Sequence, residues 1–426
     1  MDMTTRRRFI KTATALYPLG LMACAAEKSE EATPGAAAET YKATTYKVPT
    51  TFSRDYFADI GVTPLINAAG GYSAFGGARM RPEVAEAIRY GTYNKAKVDD
   101  LHDVVGARIA EMAGAEAAMV TSGATAAMVL SVAGCMTMGD QTKIEQLPDT
   151  RGLRSEVIIQ KNHRYTYDRA LIVAGATLVE VVNEEELLAA IGEKTAMMFW
   201  LLANHNPDGD NIEMDRYLAI AGEHDIPTFL DGATMTPPAS NVIEACKLGF
   251  DLVGFSGGKG LRGPYSVGLL LGRKDLVHYA RINGSPYTRA IGRGMKVAPE
   301  EYLGMMIAFE AALSINEQED FARKREVFGR MSDQMKNVPT LKQNVIVDKG
   351  MVNELYLDLE WDSSVIKMTN KELIEELRAG NPSIRFRALK FSGRRIHIST
   401  AALAEGQEIT VGRRVAEVLM SHINNI

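Results

Sequence analysis

Phe229-Leu-Asp-Gly-Ala-Thr234 and Phe255-Ser-Gly-Gly-Lys-Gly-Leu-Arg-Gly-Pro264 decide how this chain is read. The first closes an apolar run, Ile226 to Leu230, with a carboxylate. The second closes another, Asp251 to Phe255, with a lysine in a glycine-rich turn. Each has an ordinary reading: an Asp at a strand end caps a helix or makes a turn, and SGGK makes a flexible loop. A nucleotide-phosphate loop is excluded by spacing. The Walker pattern needs glycine where Val253 stands and Ser or Thr where Gly260 stands.

Around these two stretches the chain alternates short apolar runs with helical stretches. The runs are Ala117–Thr121, Glu156–Gln160, Ala176–Val182, Ala196–Leu202, Pro227–Leu230, Asp251–Phe255 and Ser266–Leu271. They are apolar throughout rather than at every second residue, which predicts a mostly parallel seven-stranded sheet covered on both faces, an α/β fold. Upstream, Arg81-Pro-Glu-Val-Ala-Glu-Ala-Ile88 opens a helix with proline in its first turn. Val98, Leu101, Val104, Val105, Ile109 and Met112 then repeat at helical spacing up to Gly114. No internal repeat is found. At 426 residues, 46% hydrophobic and 24% charged, the chain has room for two domains.

In open α/β sheets, ligands bind beyond the carboxyl ends of the strands. The first run ends in Thr121-Ser-Gly-Ala-Thr125, a small-residue loop that opens an apolar helix and presents free amides to an anion. The second ends in Gln160-Lys-Asn-His-Arg-Tyr165, with His163 placed to stack on a flat ligand. Later ends bring Asn204-His-Asn-Pro207, then Asp231, then Ser256 and Lys259. Together these are the groups a pyridoxal phosphate (PLP) enzyme needs. Asp231 holds the pyridine nitrogen protonated, and Lys259 forms the Schiff base with the cofactor aldehyde. A lysine is a useful amine only when burial or another cation disfavours its ammonium form; Arg262 is the candidate cation.

From about Pro64 to Glu310 the chain resembles the selenocysteine synthase-like (SelA-like) branch of fold-type I PLP enzymes. That branch includes selenium transferases acting on seryl-tRNA and lyases of sugar acids. The resemblance rests on Leu65-Ile-Asn-Ala-Ala-Gly-Gly71, Ala117-Ala-Met-Val-Thr-Ser-Gly-Ala124 and Lys161-Asn-His-Arg-Tyr-Thr-Tyr-Asp168. Phe229-Leu-Asp231, Ser256-Gly-Gly-Lys259, Arg262-Gly-Pro264 and Gly292-Arg-Gly-Met-Lys-Val297 complete it, in matching order and spacing. It implies that Lys259 carries the cofactor and moves the α-proton, Asp231 pairs with the ring nitrogen, and His163 packs on the ring face. Ser122, Gly123, Ala124 and Ser256 would cradle the phosphate, with Arg262 or Arg293 as charge partner and a neighbouring subunit contributing. It implies a homodimer or larger assembly. For the substrate, a small-domain arginine is the expected carboxylate clamp, Arg395 first and Arg387 second. Tyr72, Ser73, Arg79, His102 and Tyr165 are candidate wall residues.

The C-terminal part, about 296–426, is expected to form a small α+β domain. It begins with a helix, Pro299 to Leu313, continues with strands at Asn353–Leu359, Ile384–Leu389 and Arg395–Ser399, and closes with a helix, Ile409 to Ile423. Residues 51–295 form the cofactor-binding domain, with 51–85 able to join the small one. At the other end, Thr5-Arg-Arg-Arg-Phe-Ile-Lys11 resembles a twin-arginine export signal, and Leu21-Met-Ala-Cys24 a lipobox with Cys24 as the lipidated residue. Residues 25–50 then read as a solvated tether. The expected location is the periplasm or cell envelope, with the membrane touched only through that lipid.

Removing the first 23 residues, which carry Arg6, Arg7, Arg8 and Lys11 against Asp2, takes the formal charge from −5 to −8. An acidic body of this kind is a poor nucleic-acid binder, so the expected partner is a small amino substrate rather than tRNA. The three cysteines, Cys24, Cys135 and Cys246, show no metal-binding spacing. The expected reaction is α-proton removal from a small amino acid or amino-sugar acid, with elimination or replacement at the β-carbon. Rival readings are seryl-tRNA selenium transfer, an aminotransferase or desulfurase of the same fold, and an inactive tethered binding protein.

Overall fold

Neighbouring residues in the central strands enter opposite cores. Phe199, Phe229 and Leu252 join one apolar cluster, while the residues that follow each of them, Trp200, Leu230 and Val253, join the other. A sheet buried on both faces has no polar alternate position, which is why its strands read as unbroken apolar runs. Each fully buried Phe or Leu contributes about 1.5–3 kcal/mol relative to exposure, so this double core is the main source of the fold's stability.

The computed structural model describes residues 53–202, 211–349, 352–386 and 396–423. Cys24, Asn204-His-Asn-Pro207, Arg387 and Arg395 lie outside the described residues. In chain order the strands are β1 (Leu65–Asn67), β2 (Ala117–Thr121), β3 (Glu156–Gln160), β4 (Thr177–Val181), β5 (Thr195–Leu201), β6 (Thr228–Asp231), β7 (Leu252–Ser256), β8 (Gly268–Gly272), β9 (Lys342–Lys349), β10 (Asn353–Glu360), β11 (Ser383–Arg385) and β12 (Ile396–Ile398). The large sheet has seven strands in the order β2-β8-β7-β6-β5-β3-β4. All run parallel except β8, which is antiparallel to both its neighbours. The carboxyl ends of β2, β3, β5, β6 and β7 therefore share one edge. This is the mostly parallel seven-stranded α/β sheet expected from the apolar runs, in the fold-type I arrangement that the resemblance implies.

One face of the sheet is covered by the helix Gly123–Thr137, buried over almost its whole length. On the other face lie the helices Pro82–Tyr93, Val98–Ala113 and Pro299–Leu313, whose Val84, Val105, Ile109, Met305 and Phe309 fill the second core. A third core belongs to the C-terminal part. There β12, β10 and β9 form an antiparallel sheet in that order. Leu355, Leu357, Leu359, Ile396 and Ile398 on one side of it pack with Phe328, Met331, Val411, Val415 and Leu419 from the helices Glu317–Met335 and Gln407–Ser421. The short β1 pairs in parallel with β11, Ile66 opposite Ile384, and so ties the start of the described chain to this C-terminal part.

His102, a candidate wall residue, is placed elsewhere. It sits in the helix Val98–Ala113 with its ring edge-on to Tyr302, centroids 4.8 Å apart, and its Nε2 2.7 Å from the Tyr302 hydroxyl. Burial, aided by Arg281, lowers its pKa to about 4. The folded state thus binds the His102 proton less readily than the unfolded chain does. Stability from this group is complete above the ordinary histidine range and falls as pH drops towards 4. The loss is at most about 3 kcal/mol. Thermal melts between pH 7 and pH 4 should show the decline, and His102→Gln should flatten that part of the curve.

Candidate active site

The lysine turn is built by backbone bonds across its base. Gly257 N–H donates to Val267 O (2.9 Å), Gly263 N–H to Gly257 O (2.9 Å) and Arg262 N–H to Lys259 O (3.0 Å). Gly260 is required by close approach: a Cβ there would lie 2.2 Å from Pro237 N and 2.3 Å from Thr236 C, both fixed backbone. Lys259 emerges from this turn partly buried, and among the described residues its amine makes no hydrogen bond or ion pair. Burial lowers its pKa and the charge of Asp231 opposes that. Arg262, the candidate cation, spends its Nε on the carbonyl of Arg79 (2.7 Å). Desolvation is the main influence against the ammonium form.

Asp231 ends β6, the strand next to β7 that leads to the lysine turn, and is 4% exposed. Its Oδ1 accepts Ala233 N–H at 2.9 Å and its Oδ2 accepts the Tyr165 hydroxyl. Burial raises the carboxyl pKa, while Tyr165, the Ala233 N–H and Lys259 pull it back. Burial, together with the Asp231 charge, raises the Tyr165 hydroxyl well above its usual range, so it stays a donor. Tyr165 is itself fixed. Its ring stacks on Phe199 (6.3 Å, 19°) and its N–H donates to the buried Asp168 (3.1 Å). Sequence reading placed Tyr165 only among the wall residues; the signal that could have found its role was Asp168, spaced to hold its backbone.

The glycine segment after β1 closes over the lysine from the other side. A Cβ on Gly71 would lie 3.4–3.5 Å from Lys259 Cα, Cβ and Cγ. The buried Asn67 shapes this segment. Its amide donates to Gly70 O (2.9 Å), Phe75 O (3.3 Å) and Gly77 O (3.1 Å), and its carbonyl accepts Ala69 N–H (3.0 Å). Ala78 N–H then donates to Gly258 O (3.0 Å) in the lysine turn. Of the other wall candidates, Tyr72 is exposed, and the carbonyl of Ser73 accepts the Tyr265 hydroxyl (3.1 Å). Arg79 is exposed and its carbonyl accepts Arg262 Nε (2.7 Å).

His163 is buried at the end of β3, its ring edge-on to Trp200 (4.5 Å, 80°) with Nδ1 3.4 Å from Leu201 N. Ser122 precedes the helix Gly123–Thr137 without spending its hydroxyl on a cap, and Gly123 has φ +83°. An open cavity of about 380 Å³ lies against this loop, lined by Ser122, Thr125, Thr166, Tyr167 and Met295 among others. Of the Gly292–Val297 segment Met295 lines that cavity, and Arg293 is not among its lining residues. Ser256 pairs with Gly268 at the strand edge. Among the described residues no group of three or more His, Cys, Asp or Glu is arranged to hold a metal ion.

These residues fit PLP. A part-buried amine with no hydrogen bond or ion pair among the described residues, a buried anion held by two donors at the next strand end, and a small-residue helix start beside an open cavity are the three attachments the cofactor requires. The comparisons agree. Residues 82–278 match the family described as Cys/Met metabolism PLP-dependent enzyme. A 5'-C-glycyluridine monooxygenase-decarboxylase from a Streptomyces species is 28% identical over 86% of this chain and 92% of its own length. A D-glucosaminate-6-phosphate ammonia lyase from Salmonella typhimurium is 27% identical over 60% and 69%. An L-seryl-tRNA(Sec) selenium transferase from Carboxydothermus hydrogenoformans is 26% identical over 56% and 54%. The solved structure of a D-glucosaminate-6-phosphate ammonia-lyase superposes with a TM-score of 0.77 over 87% of this chain and 100% of its own, at 22% identity.

Two substitutions probe this geometry. Gly260→Ala forces a Cβ into the Thr236–Pro237 backbone and should cost about 2–4 kcal/mol, read as a lower melting temperature. Tyr165→Phe keeps the ring stack but removes a hydrogen bond to a buried charge, so the Asp231 carboxyl rises further. Cofactor affinity should fall about 10-fold or more in a PLP titration, with the melting temperature little changed.

Proposed function

We propose that this fold-type I, PLP-dependent enzyme acts on the amine of a small amino acid or amino-sugar acid, removing its α-proton and eliminating or replacing a β-substituent. The arrangement that carries this reading is Asp231, buried at the end of β6, beside Lys259 on the turn that follows the adjacent β7, where the charge of each acts on the other. When bound, PLP supplies an aldehyde that captures amines and a ring that accepts the electron pair left by a departing α-proton. The chain's part is to hold and move protons around it. Lys259, its ammonium form disfavoured by burial, holds the cofactor and takes the proton from the substrate Cα. Asp231, whose burial-raised carboxyl Tyr165 and the Ala233 N–H pull back towards the anionic form, holds a proton at the ring nitrogen. Ser122, Gly123, Ala124 and Ser256 hold the phosphate. The Gly70–Gly77 arch, shaped by Asn67, covers the lysine and excludes water.

An amino-sugar acid substrate is favoured by the ammonia-lyase relative and by the lyase of the same fold. A second reading, oxidative decarboxylation of an α-amino acid, is favoured by the relative named a monooxygenase-decarboxylase, whose match spans more of both chains. Seryl-tRNA transfer is disfavoured by the acidic chain, −5 as a whole and −8 beyond residue 23, and the chain spans about half the length of the relative that bears that name. Desulfurase chemistry needs a reactive thiolate. Burial pushes Cys135 up to about 12 and Cys246 to about 11, so neither supplies one. The arginine motif at 5–11 and Cys24 support work outside the cytoplasm on a lipid tether, and the fold supports a homodimer or larger assembly.

Purified protein incubated with D- and L-amino acids and aminosugar acids, with and without air, tests the reading. Elimination releases ammonia without oxygen, whereas the second reading consumes oxygen and releases carbon dioxide. Asp231→Asn should lower turnover by about 100-fold or more while leaving the melting temperature equal or higher, because a buried charge has been removed. Full turnover in that variant contradicts the proposal.

A further inference from the structure

Arg81 and Arg262 cross-link the lysine turn to the segment before the helix Pro82–Tyr93, each guanidinium bonding a backbone carbonyl close to the other residue. Arg81 precedes the helix Pro82–Tyr93, is 9% exposed, and donates from Nη1 to Leu261 O at 2.6 Å. Arg262 has φ 57°, in the left-handed region that side chains rarely adopt, and donates from Nε to Arg79 O at 2.7 Å. Among the described residues these are the hydrogen bonds of the two guanidiniums, and neither forms an ion pair. Among the described residues no nitrogen of either side chain is both fully buried and unpartnered, so the remaining N–H groups keep some access to solvent.

The surrounding charge makes the pair more unusual. Burial lowers the pKa of both, and Arg262 lowers Arg81 further, to about 10. Arg79 and Arg323 add positive charge nearby, against Glu83 and Asp320. Asp320 is already bound to Arg323 (3.0 Å) and Lys324 (2.9 Å). An enclosed guanidinium without a counterion destabilises the fold, and a left-handed arginine adds backbone strain. Such a pair is suited to a planar or tetrahedral oxyanion, which it can bind through several parallel N–H donors.

The position says which oxyanion. Arg262 is anchored to Lys259 through its backbone (3.0 Å), and Ala78, three residues before Arg81, is bonded to Gly258 O (3.0 Å). Yet neither guanidinium is among the charges that shift the Lys259 amine. The small-residue loop for the cofactor phosphate stands on different elements, β2 and the helix Gly123–Thr137. We propose that Arg81 and Arg262 form an oxyanion subsite, separate from the cofactor's phosphate loop, that takes a phosphate-ester or carboxylate group at the end of the substrate remote from its reacting amine. The identity of the ligand as substrate rests on the PLP reading; the anion site itself does not.

The test uses the PLP-loaded enzyme in phosphate-free buffer. Inorganic phosphate and acetate are titrated at constant ionic strength set with chloride, and binding is followed by calorimetry and melting temperature. The expected result is saturable binding of phosphate or of acetate that chloride does not reproduce, the better ligand naming the group. Arg81→Met and Arg262→Met should each weaken it at least ten-fold, and Arg262→Lys should weaken it less. In anion-free buffer Arg81→Met should melt at or above the wild type, with the visible cofactor band unchanged. Absence of anion binding to the wild type overturns the proposal, as does undiminished binding in both Met variants. So does a change of oligomeric state in those variants, which would assign the pair to a carboxylate of another copy. A wild type lacking the cofactor band would count against the PLP reading instead, and the anion titration would still be read independently.

Discussion

A buried acid and a buried amine at the ends of adjacent parallel strands are the interaction on which this site depends. Asp231 and Lys259 each suffer desolvation, and each partly offsets the other. Their distance from water strengthens the carboxylate's hold on a proton at a ring nitrogen and disfavours the ammonium form of the lysine. Either group placed on the surface would lose its chemistry. The cost of keeping them inside is met by the two apolar cores that the sheet builds on its faces.

The rest of the site serves this pair. Tyr165, clamped by Phe199 and Asp168, fixes one oxygen of Asp231, and the Ala233 N–H fixes the other. Gly260 lets the turn pass the Thr236–Pro237 backbone, and Asn67 folds the glycine arch over Lys259. The C-terminal sheet joins through Ser399, whose N–H donates to Ala68 O (2.9 Å). Its hydroxyl sits so close to the arch that a Cβ on Gly70 would lie only 3.0 Å from it. A shift of that sheet would therefore be transmitted to the arch over the lysine.

The large sheet was legible because strands buried on both faces carry an unmistakable apolar signal. All seven runs fall within two or three residues of the observed strands at either end. The helix Pro299–Leu313 was legible for the same reason, with proline at its start. β9 was not, because Lys342-Gln-Asn-Val-Ile-Val-Asp-Lys349 is an edge strand with mixed polarity and no turn signal. β1 is too short to show a period, and its partner β11 lies more than 300 residues away, so no local pattern records the pairing. In the site, Asp231 and Lys259 were legible from strand ends. Tyr165's bond to Asp231 was not, since it joins residues 66 positions apart. Arg262 shows the same limit: it is close in sequence to Lys259, yet its Nε bonds the carbonyl of Arg79, a partner that no local pattern records.

Reduction with borohydride followed by peptide mapping is the most direct measurement of the central claim. The account predicts that protein purified with its cofactor, once reduced, carries the pyridoxyl mass on the peptide containing Lys259 and on no other lysine. Attachment at a different lysine, or protein that takes up no PLP under saturating conditions, would contradict it.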